Sequence, residues 1–344
     1  MMTRPNLLIL ITMARAVAAA DAPPPGPGPF GSVVLAQPVP GAARCVEEDR
    51  WKKGKQCAVS DYGDVASVTV AEATKAVQAA IDDCGDRAEG GTVLIPENVQ
   101  VTTGSLFLKS NLTLRIEKNA TLKGSADRGD YARVYTRREA VMLEAYAGLV
   151  NGAKCVRKKA PLVGWDDCAE WGRLENVCLE GGGTIDGDGG QWFGLVPSRE
   201  RSMLLDLLFV RGLTIRDLHI RRSGYWTVHP TFSDNVRVTG LKIDTVEAED
   251  YAAHNTDGVD PDSCWNVYVA DNTFETGDDC VALKSGRDWS GRMVNVSTRN
   301  VLLERNAFKR GHGVERRPSV FVSFSSHPRV FRRLDRKRDG RLDL

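Results

Sequence analysis

The chain has 344 residues, with 46 Lys and Arg against 45 Asp and Glu, for a formal net charge of +1. That balance excludes a nucleic-acid binder relying on bulk charge, and an acidic ligand would need local cations. No apolar run reaches the roughly 18 residues of a membrane span, so neither nucleic acid nor membrane is an expected partner.

The first 20 residues place Arg4 before an apolar stretch from Leu7 to Met13, then Ala18, Ala19 and Ala20 ahead of Asp21. This is the order of a secretory signal peptide, with cleavage expected after Ala20, although Arg15 interrupts the stretch between core and cleavage site. Residues 21–60 form a leader rich in proline, with Pro23 to Pro25, Pro27 and Pro29 in its first half. The eight cysteines (45, 57, 84, 155, 168, 178, 264 and 280) are an even number, able to pair in an oxidising compartment. They contain no CxxC pair, which argues against a zinc site made of cysteines. Sequons at Asn111, Asn119 and Asn295 fit the same secretory, extracellular route.

From Val70 to Cys84, apolar Ala73, Val77, Ala80, Ile81 and Cys84 recur at helical spacing and predict one amphipathic helix. Beyond it come short β-branched runs divided by Gly, Asn and Asp, among them GGTVLIP, SLFLKSNLTLRI, RGLTIRDLHI and WNVYVADNTF. The runs that begin at Asn176, Gly212, Asn235, Asn266 and Asn300 share a loose form at intervals of 36, 23, 31 and 34 residues. Repetition on this scale predicts units that bury their apolar faces by stacking on neighbours. The fold class expected is all-β, a parallel β-helix whose helix at Val70 caps the first coil. A leucine-rich solenoid is the rival, but it needs a leucine ladder that is absent here.

The acids concentrate between His254 and Gly286. Asp257 lies 21 and 22 residues before Asp278 and Asp279, about one coil. Neighbouring strands sit about 4.8 Å apart, so the three carboxylates can share one surface. Asp278 and Asp279 would face opposite sides of a regular strand, so their joint use requires a bend, for which Gly277 is placed. Crowded acids suit glycoside hydrolysis, in which one protonated carboxyl donates to the leaving oxygen and an ionised one activates water. Mutual repulsion should leave one of them protonated near the working pH. His312, 33 residues after Asp279, extends the line by a further coil. Asp260 and Asp262 are read as acids that stabilise coil corners, and His229 and His254 as structural. Trp192 and Trp226 are expected to cover the core or a loop, and Cys280 to be a structural thiol or disulfide.

NTDG at 255–258, GDDCVALKSG at 277–286 and GHG at 311–313 resemble, in order and spacing, the signatures of glycoside hydrolase family 28, the polygalacturonases. The likeness runs back through GYWTVHP at 224–230, GGGTIDGDGGQW at 181–192 and GSLFLKSNLTL at 104–114, covering about residues 61–313. The resemblance implies a right-handed β-helix that hydrolyses α-1,4-linked galacturonan, the polysaccharide of pectin, with inversion and without metal or other cofactor. It implies Asp278 as general acid, Asp257 and Asp279 as the pair that positions and activates water, and His312 as tuning the acid. Asn255 would hold the Asp257 region on the substrate-binding side, and Lys284 would contact a substrate carboxylate. The enzyme is expected to act as a monomer.

One departure stands out. The family's Arg-x-Lys motif, which binds the galacturonate carboxylate, has no counterpart after Gly313, where the strand-and-turn rhythm is lost. The catalytic domain, 61–313, is therefore expected to be incomplete at its C-terminal end, followed by a basic divergent tail, 314–344. Within that tail Asp335, Asp339 and Gly340 match part of a calcium loop, but Lys337 takes a ligand position, so the tail is read as solvated charge. Two other functions compete: a calcium-dependent pectate lyase on the same scaffold, and a β-helix that binds pectin without turning it over.

Overall fold

The computed structural model describes residues 52, 54–139, 141–154, 173–246, 253–312 and 319–322. The expected signal peptide, Cys45, Cys155, Cys168 and the calcium-loop-like tail lie outside the described residues.

Three sheets wind the chain into a parallel β-helix. The first runs Lys55–Ala58, Gly91–Ile95, Leu112–Ile116, Leu174–Glu180, Val210–Arg216, Asp234–Thr239, Trp265–Ala270 and Arg299–Glu304, all parallel. The second stacks Gln100–Thr103, Thr121–Gly124, Thr184–Asp186, His219–Arg221, Lys242–Asp244, Thr273–Glu275 and Ala307–Arg310. The third contains Leu106–Phe107, Val150–Asn151, Leu205–Leu208 and Val228–Thr231, and parallel bridges Val228 to Val259 and Val259 to Val281 continue it. Each coil visits the three sheets in turn, with the right-handed sense that parallel crossovers adopt. This coil plan settles the architecture against the leucine-rich alternative.

The five runs picked out by their repeat all fall on the first sheet, and their leading residue sets the turn. Asn111, Asn176, Asn235, Asn266 and Asn300 have φ between 51° and 57°, and Gly212 has φ 71°. Asparagine tolerates the left-handed region better than other residues with a Cβ, and glycine enters it freely. The asparagines then ladder from coil to coil: the Asn176 amide donates to Asn111 at 2.9 Å, and Asn300 to Asn266 at 3.1 Å.

Inside the tube, register puts like residues over like. Val93, Leu114, Leu179, Ile215, Val238 and Val269 form one buried column. Leu122, Ile185, Ile220, Ile243 and Phe274 form another. Each such side chain contributes about 1.5–3 kcal/mol on burial.

The helix predicted at Val70–Cys84, α1, is present and buries Ala73, Val77, Ala80, Ile81 and Cys84 as expected, with Ala76 in addition. Thr69 and Glu72 close its first turn in a reciprocal capping box. Hydrogen bonds from the Gly104 N–H to Thr74 and from the Phe107 N–H to Gln78 pin it over the first coil. The ordered fold starts ahead of residue 61, which shortens the leader: Lys55–Ala58 already pairs with Gly91–Ile95, and a Cys57–Cys84 disulfide ties that strand to α1. At the other end Ser319–Val322 lies antiparallel to Arg299–Glu304, so a strand beyond Gly313 reverses the parallel run.

Candidate active site

The third sheet positions the acids. Asp257 immediately precedes its Gly258–Val259 segment, and the Gly258 N–H donates to the Asp279 carbonyl at 2.9 Å, which sets the two acids one coil apart. The expected bend follows the strand Thr273–Glu275. Gly277 is required there by close approach, because a Cβ would stand 2.2 Å from the Ala253 carbonyl oxygen. With that bend, carboxylate oxygens of Asp257, Asp278 and Asp279 come within 4.8 Å of one another.

His312 closes the group from the following coil. Its N–H donates to the Asp278 carbonyl at 3.0 Å, and its Nδ1 lies 3.2 Å from Asp278 Oδ1. The same Oδ1 accepts the Asp279 N–H at 3.0 Å, while Oδ2 accepts the Asn255 N–H at 3.2 Å. Asn255 thus acts on Asp278 through its backbone. Its side chain accepts from Arg201 at 2.8 Å, and that guanidinium lies over the rings of Phe193 and Tyr225. Asp278 and His312 reach solvent, with side chains 23% and 55% exposed, whereas Asp257 is 6% exposed.

Lys284 departs from the expected position. Its buried ammonium faces inward, 3.2 Å from Asp257 and 3.1 Å from Asp260, with the Trp226 ring 4.2 Å away. Asp260 and Asp262 are not corner residues. Both are fully buried on the outer face of the third sheet. Asp260 meets Lys284 at ion-pair distance, though neither of its oxygens has hydrogen-bond alignment among the described residues. Asp262 meets Arg137 of the hairpin Arg133–Arg138/Val141–Tyr146 at 2.9 Å. Beside them His229, Thr136 and Arg138 converge on Asp206. Burial works against that carboxylate, but Arg138 and His229 hold it down at about 2. His229 is structural, as expected, and Trp226 and Trp192 are buried against neighbouring rings. Cys280 is a free, buried thiol beside Thr276.

Burial pushes the Asp257 carboxyl up to about 6, with Lys284 opposing and Asp278 and Asp279 reinforcing the rise. Burial, more than the crowding expected from the sequence, is therefore what raises Asp257. Asp260 is pushed well above the carboxylate range, first by burial and then by Asp257. Lys284 is raised despite its burial, because the two carboxylates favour its charge. Two acids thus share one ammonium.

The family model for glycosyl hydrolases family 28 matches residues 84–315, a stretch that includes every acid of this cluster. The chain belongs to glycosyl hydrolase family 28. A probable polygalacturonase of Vitis vinifera is 30% identical over 256 residues, 71% of this chain and 47% of that protein. An endo-polygalacturonase of Pectobacterium carotovorum subsp. carotovorum is 28% identical over 265 residues, 70% of this chain and 57% of that protein. Among solved structures, a hyperthermoactive exopolygalacturonase from Thermotoga maritima aligns with a TM-score of 0.63 at 25% identity, covering 76% of this chain and 62% of that one. The chain therefore spans about half the length of the curated relatives it matches.

Proposed function

We propose that this chain is a polygalacturonase-type glycoside hydrolase that cleaves α-1,4-linked galacturonan in pectin. The observation that carries this reading is the convergence of Asp257, Asp278 and Asp279 from successive coils, with His312 on the solvent side of Asp278. Asp278 takes the role of general acid, because it is the acid that both reaches solvent and contacts His312. Asp257, the buried member of the three, and Asp279 activate water. A monomer released outside the cell fits the signal-like N-terminus and the Cys57–Cys84 disulfide. Reducing ends released from polygalacturonate by the folded chain would support the reading. An unsaturated, EDTA-sensitive product would assign a lyase instead, and binding without turnover would assign a non-catalytic β-helix.

Stereochemistry is a sharper test. The cluster is tighter than the about 6.5–9.5 Å between carboxyl groups that usually admits water in inverting enzymes, and nearer the about 5–5.5 Å of retaining ones. Here two acids hold the water from one side, so inversion is expected and the first product seen by proton NMR is the β-anomer. An α-anomer would make Asp257 or Asp279 a nucleophile.

The pH dependence follows from Asp257. A base must be ionised, so the rising limb of kcat/KM should lie at about pH 6. The sign for stability is opposite. A carboxyl raised on folding favours the folded state below its unfolded value near 4, and that contribution fades as pH rises through about 6. Asp257→Asn should therefore gain stability relative to wild type between those limits, read by thermal unfolding at a series of pH values.

A further inference from the structure

Lys284 offers a second function for its charge. In the third sheet Asp262 and Lys284 are bridged neighbours, so the Lys284 stem leaves the outer face beside Asp262 and turns back along it. Its ammonium then ends between Asp257 and Asp260, under the face of Trp226, with the side chain 9% exposed. A substrate carboxylate arriving from solvent would have to displace an acid already paired there. Among the described residues the groups around this point leave no other cation for Asp257. Asp278 and Asp279 face it from the next coil, Asp260 lies beside it, and the Tyr225 phenol faces it from the preceding coil. His229 is engaged by Asp206, Arg138 by the same carboxylate, and Arg137 by Asp262.

We propose that Lys284 is a positioning residue, an internal counter-ion that fixes Asp257 as the water-activating base while Asp260 anchors its other side. The proposal rests on the hydrolytic reading above. Asp260, with no outlet to solvent, competes with Asp257 for the one ammonium and divides its attraction. Trp226 excludes water from the pair and keeps the attraction strong.

Two substitutions move the same observable in opposite directions. Lys284→Met removes the charge at nearly constant length, and is expected to lower kcat about 100-fold with little change in KM. It should move the rising limb of the pH profile upward by more than about one unit. Asp260→Asn leaves the ammonium to Asp257 alone and should move that limb downward. A role in binding the substrate carboxylate would instead raise KM and leave the limb in place, overturning the proposal. A purely structural role would lower the unfolding temperature with no movement of the limb, and would overturn it too. The titration of Asp257 is also read without turnover, from the carboxyl-carbon NMR signal that disappears in Asp257→Asn. Opposite displacements of that signal in an inactive protein would uphold the counter-ion and refute only the hydrolytic reading. If Lys284→Met fails to fold, the direction of the Asp260→Asn displacement decides alone.

Discussion

Replacing Asp278 by asparagine is expected to lower kcat on polygalacturonate by about a thousandfold, with the far-UV circular dichroism of the parent retained. The reason lies in what the substitution keeps. An asparagine oxygen in the Oδ1 position still accepts the Asp279 N–H and faces His312, so the bend after Gly277 holds. The amide nitrogen then meets the Asn255 N–H, which faces Oδ2 at 3.2 Å, a repulsion confined to a single donor on a partly exposed side. What disappears is the transferable proton. Reducing-end assays at saturating substrate read the loss, and retention of more than about a tenth of the parent rate would remove Asp278 from the acid role. A substrate with a better leaving group than a sugar hydroxyl should recover much of the rate, because protonation of the leaving oxygen then matters less.

The sequence was informative where chemistry repeats along the chain. Asparagine or glycine at the head of five strand runs is a coil marker, since the left-handed region favours a few residue types at each turn. The acid triad was legible for the same reason: coil length converts a separation of 21 or 22 residues into adjacency. Asp260 and Asp262 were misread because a single sequence gives an aspartate its high turn propensity and no partner. Their partners are Lys284, which lies one coil further along the chain, and Arg137, which arrives on a hairpin inserted before the third sheet is complete. Nothing in local pattern announces that a hairpin will fold over that face. The pairing of Lys284 with Asp257 and Asp260 is equally hidden, since a lysine beside a cluster of acids reads equally as facing a ligand or the acids. The start of the fold was drawn late because four residues, Lys55–Ala58, are too few to show alternation, and it is the disulfide to α1 that secures them.

Asp262→Ala is expected to destabilise the fold by about 3–5 kcal/mol, the cost of leaving one member of a buried ion pair without its partner. Arg137 has a side chain 1% exposed, with its guanidinium 4.6 Å from the centre of the Phe232 ring. Its contact with Asp262, 2.9 Å between nitrogen and oxygen, lacks the alignment of a hydrogen bond, so charge rather than geometry holds the pair. Removing the carboxylate also takes away the acceptor of the Gly286 N–H at 3.2 Å, on the loop two residues beyond Lys284. The unfolding temperature should fall on the order of 10 °C. Replacing both members, as Arg137→Met with Asp262→Leu, should recover most of that loss, because a packed apolar pair has no charge to desolvate. A double-mutant cycle in chemical denaturation separates the coupling from the packing, and a coupling below about 0.5 kcal/mol would mean that the two charges stand independently. The single variant should also lose activity beyond its loss of folded fraction, because the Gly286 backbone that it releases carries the strand on which Lys284 reaches Asp257. The double variant separates these effects: it restores the apolar cover but not the acceptor for Gly286, so stability should return ahead of activity.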